Sequence, residues 1–134
     1  MKKILVITLA ALLSVFFIDR SYSKHNQAVI QKTLINEIKE HRQEPIVTID
    51  FRKLYDFKWD EVYVFTPGTS LKNIEQTLGF TWLDAKSTGI KNRDDMDLIV
   101  FVENNQVAQY IMLPRKYGTL QPMAQKGNFM VKTS

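Results

Sequence analysis

The sequence predicts an α+β fold, in which an N-terminal amphipathic helix and one short helix pack on an antiparallel sheet of four to five strands. Residues 97 to 113 form two apolar runs joined by Asn104-Asn105, a pair that tolerates positive φ and therefore favours a hairpin. Residues 25 to 42 contain no Pro or Gly, and Ile30, Leu34 and Ile38 recur at every fourth position. That spacing is typical of an amphipathic helix.

The stretch from Asp56 to Phe65 is the strongest single strand candidate, because it is rich in aromatic and β-branched residues. Apolar side chains fall on both of its faces, which favours a central strand covered on both sides, and Pro67 ends it. Val47, Ile49 and Phe51 alternate with polar residues and predict an earlier strand. The short connection from Arg52 to Lys58 favours pairing of the two strands as neighbours, and the alternative is an irregular corner between them.

A helix of eight or nine residues is expected from Leu71, with Thr69 or Ser70 as its N-cap and Gly79 after its last turn. Residues 84 to 96 are polar and predict an exposed loop, where binding residues often lie. Residues 128 to 132 predict a last strand at the edge of the sheet.

The first 23 residues have the form of a signal peptide. Met1-Lys2-Lys3 is positively charged, and Ile4 to Ile18 is uncharged, as in a secretory leader. As a helix this run spans about 22 Å, short of the roughly 30 Å of a bilayer core. Ser21 and Ser23 place small residues before a cleavage point at Lys24. We expect residues 24–134 to form one exported domain in the periplasm or cell envelope; the alternative is an uncleaved, single-pass inner-membrane anchor.

Charge and cysteine content exclude several functional classes. The formal net charge is +4, and the leader contributes half of it through Lys2, Lys3 and Arg20 against Asp19. The remaining domain has no basic cluster with interleaved aromatic residues, so we do not expect nucleic-acid binding. The absence of cysteine excludes disulfides, thiolate nucleophiles and cysteine-ligated zinc.

The residue types that support catalysis or metal binding are sparse. His25 and His41 are the only histidines, one beside the cleavage point and the other at a helix end, which does not favour a nucleophile–base pair. Three acids, Asp56, Asp60 and Glu61, lie among aromatic residues, and we interpret them as capping or backbone-bound groups. A second oxygen-rich set does not match the calcium loop: Asn92, Asp94, Asp95 and Asp97. We therefore expect a non-enzyme without metal or cofactor.

Five residues are candidates for an interface with a partner. Tyr55, Trp59 and Trp82 lie at the ends of predicted elements, where we expect them to be partly exposed, and Tyr and Trp are frequent interface anchors. Asp94 and Asp95 lie in the predicted exposed loop.

A longer pattern resembles a family. It consists of Phe57-x-Trp59-Asp60-x-Val62-Tyr63-Val64-Phe65, then Pro67, Leu78-Gly79, Trp82, the hairpin from Leu98 and Leu113-Pro114-Arg115. Over roughly residues 46 to 115 the chain is similar to a group of small uncharacterised bacterial exported or lipoprotein-type proteins. The resemblance implies envelope localisation and an α+β fold, and it implies no catalytic residues. This chain departs from the lipoprotein-type members because it has no cysteine to accept a lipid.

The leading functional hypothesis is a non-catalytic cell-envelope protein that binds another protein, as an inhibitor or immunity-type factor does. Export, small size and the sparse catalytic chemistry motivate it. A second hypothesis is a membrane-tethered accessory subunit of an envelope complex, in contact with the membrane only through residues 4–18. A third is a small-ligand-binding protein or enzyme, which requires a pocket that joins the acids around Trp59 to residues 84–96.

Overall fold

A computed structural model describes residues 27–122 and 128–132, the last two residues of the first range and all of the second by their backbone alone. The predicted leader and His25 lie outside the described residues. These described residues form six strands: β1 (Ile46–Asp50), β2 (Glu61–Phe65), β3 (Met96–Glu103), β4 (Gln106–Pro114), β5 (Thr119–Pro122) and β6 (Asn128–Lys132). The helices are α1 over residues 27–40, α2 (Phe51–Leu54) and α3 (Leu71–Leu78), with 3₁₀ turns at Leu83–Thr88, Ile90–Asn92 and Arg115–Tyr117.

The strands form two antiparallel three-stranded sheets instead of the single sheet that the sequence suggested. The central sheet has the order β2-β3-β4, and the outer sheet has the order β1-β6-β5. Helices and antiparallel strands together make this an α+β protein, as predicted.

The hairpin of β3 and β4 is confirmed. Asn104 and Asn105 occupy its turn with φ of 50° and 59°, a conformation that asparagine tolerates better than most residues. Helix α3 is also confirmed, since the Ser70 side chain accepts a hydrogen bond from the Asn73 N–H at 3.2 Å and Gly79 ends the helix at φ 83°. In α1 the apolar stripe of Ile30, Leu34 and Ile38 is buried.

The expected pairing of β1 with β2 is wrong. Asp50 accepts a hydrogen bond from the Arg52 N–H at 3.0 Å and so caps α2, a single helical turn. This turn redirects the chain directly after β1. Strand β1 pairs with β6, and β2 pairs with β3.

Two strand positions also differ from the prediction. Strand β2 lies at an edge of the central sheet, although its two faces pack as expected, with Val62 and Val64 on one side and Tyr63 and Phe65 on the other. An apolar run therefore reports burial of the faces and not the number of hydrogen-bonded neighbours. Strand β6, expected at an edge, lies in the middle of the outer sheet.

Residues 84 to 96 are only partly an exposed loop. Two 3₁₀ turns occupy most of the segment and bury Ala85, Thr88 and Ile90. Side chains three residues apart eclipse one another in a 3₁₀ turn, so Ala85 and Thr88 share one face. The charged residues around them remain exposed.

The central sheet separates two hydrophobic cores. On one face, Ile99, Phe101, Ile111 and Leu113 pack with α1, β1 and residues 51–59; we call this the first core. On the other face, Leu98, Val100 and Val102 pack with α3 and the 3₁₀ turns; we call this the second core. The candidate interface residues are divided between these two sides.

Candidate functional site

The segment from Phe51 to Asp60 is held by the ring of Phe101. Four rings lie within 5.2 to 5.7 Å of it, all in edge-on arrangements, an orientation that aromatic quadrupoles favour. They belong to Phe51, Tyr55, Phe57 and Trp59. The alternation of rings and polar residues along positions 55 to 60 therefore directs the polar side chains away from the core.

Helix α1 is attached to the same segment through Tyr55. The Tyr55 hydroxyl donates a hydrogen bond to the Ile30 carbonyl oxygen at 2.6 Å. Burial raises the pKa of Tyr55 well above its ordinary value, so the phenol stays protonated and continues to donate. This bond fixes the distance between α1 and the segment that follows α2.

A cleft of about 530 Å³ lies between these two elements. Val29, Ile30 and Thr33 of α1 line one side, residues 52–57 line the other, and Gln109 of β4 contributes. A second cleft of about 310 Å³ continues along residues 55–60 to Glu103. The two share Arg52, Tyr55, Asp56 and Phe57, and together we call them the α1 groove.

The α1 groove combines apolar and charged groups. Val29 is 51% exposed at its rim. The Arg52 guanidinium lies 4.1 Å from the centre of the Trp59 ring, in a cation–π arrangement, and its Nη2 donates to the Asp60 carbonyl oxygen at 3.4 Å. Charges of both signs line it: Arg52, Lys53, Lys58, Asp56, Asp60 and Glu103. Such a surface complements a partner that carries charges of both signs, rather than a polyanion or a polycation.

The expected partial exposure of Tyr55, Trp59 and Trp82 is wrong, because all three side chains are buried. Tyr55 and Trp59 pack on Phe101, and Trp82 packs on Tyr110 at 5.2 Å. An aromatic residue at the end of a helix or strand is therefore not exposed when a ring on the neighbouring sheet face packs against it. Tyr55 and Trp59 form the floor of the α1 groove, whereas Trp82 belongs to the second core.

Asp94 and Asp95 are exposed, as expected, but they lie far from the α1 groove. Asp95 precedes β3, whereas Asp60 contacts Val102 and Asn104 at the other end of that strand. An eight-residue strand spans about 26 Å. The structure therefore does not bring the five candidate interface residues together.

Two of the three acids near Trp59, Asp60 and Glu61, accept hydrogen bonds from the backbone or from a neighbouring hydroxyl, and Asp56 is exposed. Asp60 Oδ2 accepts a hydrogen bond from the Asn104 N–H at 3.0 Å, which confirms the interpretation of this residue. Glu61 accepts a hydrogen bond from the Tyr63 hydroxyl, and this bond, more than burial, raises the pKa of Tyr63. The cleft that Asp60 lines contains no residue of 84–96, and the cleft that Asp84 lines contains none of the acids around Trp59.

The remaining titratable candidates are also engaged. His41 lies at the end of α1, with Nε2 and Nδ1 each 3.6 Å from a carboxylate oxygen, of Glu37 and Glu44 respectively. Asp97 is buried, and its Oδ1 accepts hydrogen bonds from Arg115 Nη2 at 3.2 Å and Nε at 3.4 Å. Asp97 is thus separated from the other members of the oxygen-rich set. Within residues 27–122 and 128–132, no group of three or more His, Asp or Glu side chains is placed to share a metal ion.

Sequence reasoning missed the residues that form the rim of the α1 groove. Arg52 and Val29 belong to no sequence motif. They line the same cleft because the turn α2 redirects the chain after β1, at a position where the sequence predicts the end of a strand. The alternation at positions 55, 57 and 59 was the available signal for a segment with one apolar and one polar side.

None of the described helices has the length and apolar character needed to cross a membrane. No protein-family model matches the chain, and comparisons with curated proteins and with solved structures give no significant match.

Proposed function

We propose that the protein is a non-catalytic binding protein of the cell envelope, and that it binds another protein through the α1 groove, as an inhibitor or immunity-type factor. The observation that carries the proposal is the groove itself, in which Arg52 is stacked on Trp59 and an exposed Val29 faces a floor of aromatic side chains. Arg and aromatic side chains are enriched where proteins bind each other most tightly.

The extent of the groove supports a protein segment as ligand. Its two clefts together extend from α1 to Glu103, and the charged residues that line them alternate in sign from Lys53 to Asp60. A small ligand is more often enclosed by a deep apolar pocket with few polar groups. An extended, open groove with a polar rim instead resembles the surface that receives a helix or an extended segment.

Site-specific photo-crosslinking in the host tests the proposal. A photoreactive amino acid is placed at Val29, at Lys53, and at Lys72 as the control; Lys72 is exposed on α3, across the central sheet from the groove. We expect positions 29 and 53 to capture the same protein and position 72 to capture none of it. Equal capture from position 72, or no protein captured from either groove position, contradicts the proposal.

A charge substitution then measures the contribution of the groove. Val29→Asp introduces a carboxylate at a half-exposed position, so the fold should be retained. We expect at least about a fivefold loss of affinity for the captured protein, since truncation or mismatch at an interface anchor costs more than about 1 kcal/mol. The matched control is Ile46→Asp, at an apolar residue that is 53% exposed on β1. If the captured protein is an enzyme, its inhibition by the wild type and not by Val29→Asp identifies the inhibitor role.

A further inference from the structure

The main chain of residues 56–59 belongs to neither sheet. Just before it, the Tyr55 N–H donates a hydrogen bond to the Phe51 carbonyl oxygen at 3.1 Å, and just after it, the Asp60 N–H donates to the Val102 carbonyl oxygen at 2.7 Å. Within the described part of the chain, the N–H and C=O groups between these two bonds make no hydrogen bond. Each such group needs a partner, from water or from a ligand.

Aromatic packing holds this unpaired main chain in place. The rings of Phe57 and Trp59 pack edge-on against Phe101 at 5.2 and 5.5 Å. The charged residues that alternate with these rings are exposed: Asp56, Lys58 and Asp60. A segment whose conformation is already fixed loses little entropy when a ligand pairs with it. Residues 56–59 therefore combine a fixed, unpaired main chain with a charged outer side.

Residues 56–59 line the α1 groove. All four line its smaller cleft, and Asp56 and Phe57 also line the larger one. A helical ligand uses its N–H and C=O groups within its own turns, so it cannot pair with this main chain. An extended ligand can, and its alternate side chains then meet those of the receiving segment. The chain bends at Phe57, which limits such pairing to a short stretch.

We propose, on the basis of the function proposed above, that the partner protein inserts an extended segment whose main chain pairs with residues 56–59. The segment carries side chains of alternating charge, positive opposite Asp56 and Asp60 and negative opposite Lys58. Opposite charges that face each other across paired strands stabilise the pairing, and like charges destabilise it. The charges along residues 56 to 60 therefore select the ligand.

A second copy of the chain does not match this charge pattern. Antiparallel pairing of two such segments about Lys58 places Lys58 opposite itself and Asp56 opposite Asp60, and parallel pairing in register places each residue opposite itself. Like charges meet in both arrangements. Antiparallel registers shifted by two residues place Asp60 opposite Leu54 or Asp56 opposite Val62, so that one acid has no opposite charge. A different chain can match all three charges.

Hydrogen exchange tests the main-chain pairing. The probe is the protein captured from positions 29 and 53, purified and added to the full chain. We expect the amides of residues 56–59 to exchange at least about tenfold more slowly in the complex than in the free protein, because a hydrogen-bonded amide is protected. The amides of Asp94 and Asp95, which donate no hydrogen bond within the described chain, are the control and should exchange equally in both.

The result separates this inference from the function on which it rests. A complex in which the captured protein protects α1 but leaves residues 56–59 unprotected overturns the inference and leaves the α1 groove as a binding site. Capture of no protein from positions 29 and 53 overturns both. A photoreactive amino acid at Lys58 should capture the same protein as those positions, whereas an adduct of twice the chain mass overturns the inference in favour of a second copy.

A double charge reversal tests the charge pattern. Asp56→Lys combined with Lys58→Asp inverts two neighbouring charges and leaves the net charge unchanged, and both side chains are exposed, so the fold should be retained. We expect about a tenfold loss of affinity for the captured protein, since two attractive pairs become repulsive. The matched control is Lys91→Asp with Asp94→Lys, also exposed and away from the groove, which should bind as the wild type does. Equal affinity of the two double variants overturns the inference.

Discussion

The side chain of Gln31 donates a hydrogen bond to the main-chain carbonyl of Met112 at 2.6 Å, and so joins α1 to the edge of the central sheet. Gln27 makes the equivalent bond one turn earlier, to Tyr110 at 3.1 Å. Residues four apart on a helix lie on one face, and residues two apart on a strand present their carbonyls on the same side. The two periodicities match here, and two side chains cover two successive outward carbonyls.

Removal of this cover should destabilise the domain. For Gln31→Ala we expect the free energy of unfolding to fall by about 1 kcal/mol, the usual net contribution of one such hydrogen bond. Gln31→Glu should cost more, since a carboxylate cannot donate and is placed beside a carbonyl oxygen. Urea unfolding measures both. Gln76→Ala, at an exposed position on α3, is the matched control, and an equal loss there would show that the effect is general to glutamine truncation.

Phe101 should be the most sensitive position of the first core. Phe101→Ala removes the ring that four others contact, and we expect a loss of about 3 to 5 kcal/mol. Ile99→Val, at a neighbouring buried position on the same face, should cost only about 1 kcal/mol. Urea unfolding compares the two. If Phe101→Ala lowers the free energy of unfolding by no more than Ile99→Val does, the packing of the four neighbouring rings does not depend on Phe101.

Tyr55 should make the domain sensitive to alkaline pH. Burial raises the pKa of Tyr55 in the folded protein, so the folded state holds the phenolic proton more tightly than the unfolded chain does. The stability that this provides is complete below the unfolded pKa of about 10 and is lost as the pH rises further. In Tyr55→Phe this part of the alkaline decline should be absent. Unfolding measured from pH 8 to 11 tests it, and parallel curves for both proteins would contradict it.

The ion pair of Asp97 and Arg115 should make the stability of the domain depend on pH on the acidic side of neutrality. Burial raises the pKa of Asp97, and the guanidinium of Arg115 opposes that shift. Because the folded pKa is raised, protonation of Asp97 favours the folded state, and this contribution is lost as the pH rises through the folded pKa. Arg115→Ala leaves the ionised Asp97 unpaired, so it should destabilise the domain at neutral pH.

The cost of Arg115→Ala should shrink as the pH is lowered and Asp97 becomes protonated. Arg93→Ala, which breaks the exposed contact with Asp95 at 3.8 Å, is the control and should cost little at any pH, as exposed ion pairs usually do. Urea unfolding at several pH values compares the variants. A cost for Arg115→Ala that does not change with pH would contradict the role of Asp97.

Local signals in the sequence predicted local structure well. The Asn104-Asn105 turn, the caps of α3 and the apolar stripe of α1 each depend on residues close together in the chain, and each is confirmed. The partner of β1 was not predictable in this way, because β6 lies at the far end of the described chain and nothing in residues 46 to 50 specifies it. The turn at Phe51 was read as a third apolar position of a strand, since period-two patterns and a capped helical turn both place an apolar residue there.

The candidate site was predicted less well for a related reason. Aromatic residues at element ends are exposed only if no partner ring covers them, and Phe101 and Tyr110 are supplied by strands distant in sequence. The groove itself lies between α1 and residues 52–57, which the hydrogen bond from Tyr55 to Ile30 joins. The relative placement of two such elements cannot be predicted from the composition of the sequence or the spacing of its residues.

The middle position of β6 in the outer sheet sets an order of assembly. Strands β2, β3 and β4 pair with neighbours that are close along the chain or joined by short helices. Strand β1 instead pairs with β6, so that Ile46 lies opposite Lys132, 86 residues later in the sequence. Closing a long loop costs more entropy than closing a hairpin. We therefore expect the central sheet to form first during refolding, with amides of β3 and β4 protected from hydrogen exchange before those of β1. A chain that emerges from its N-terminal end leaves β1 without this partner until β6 has been made.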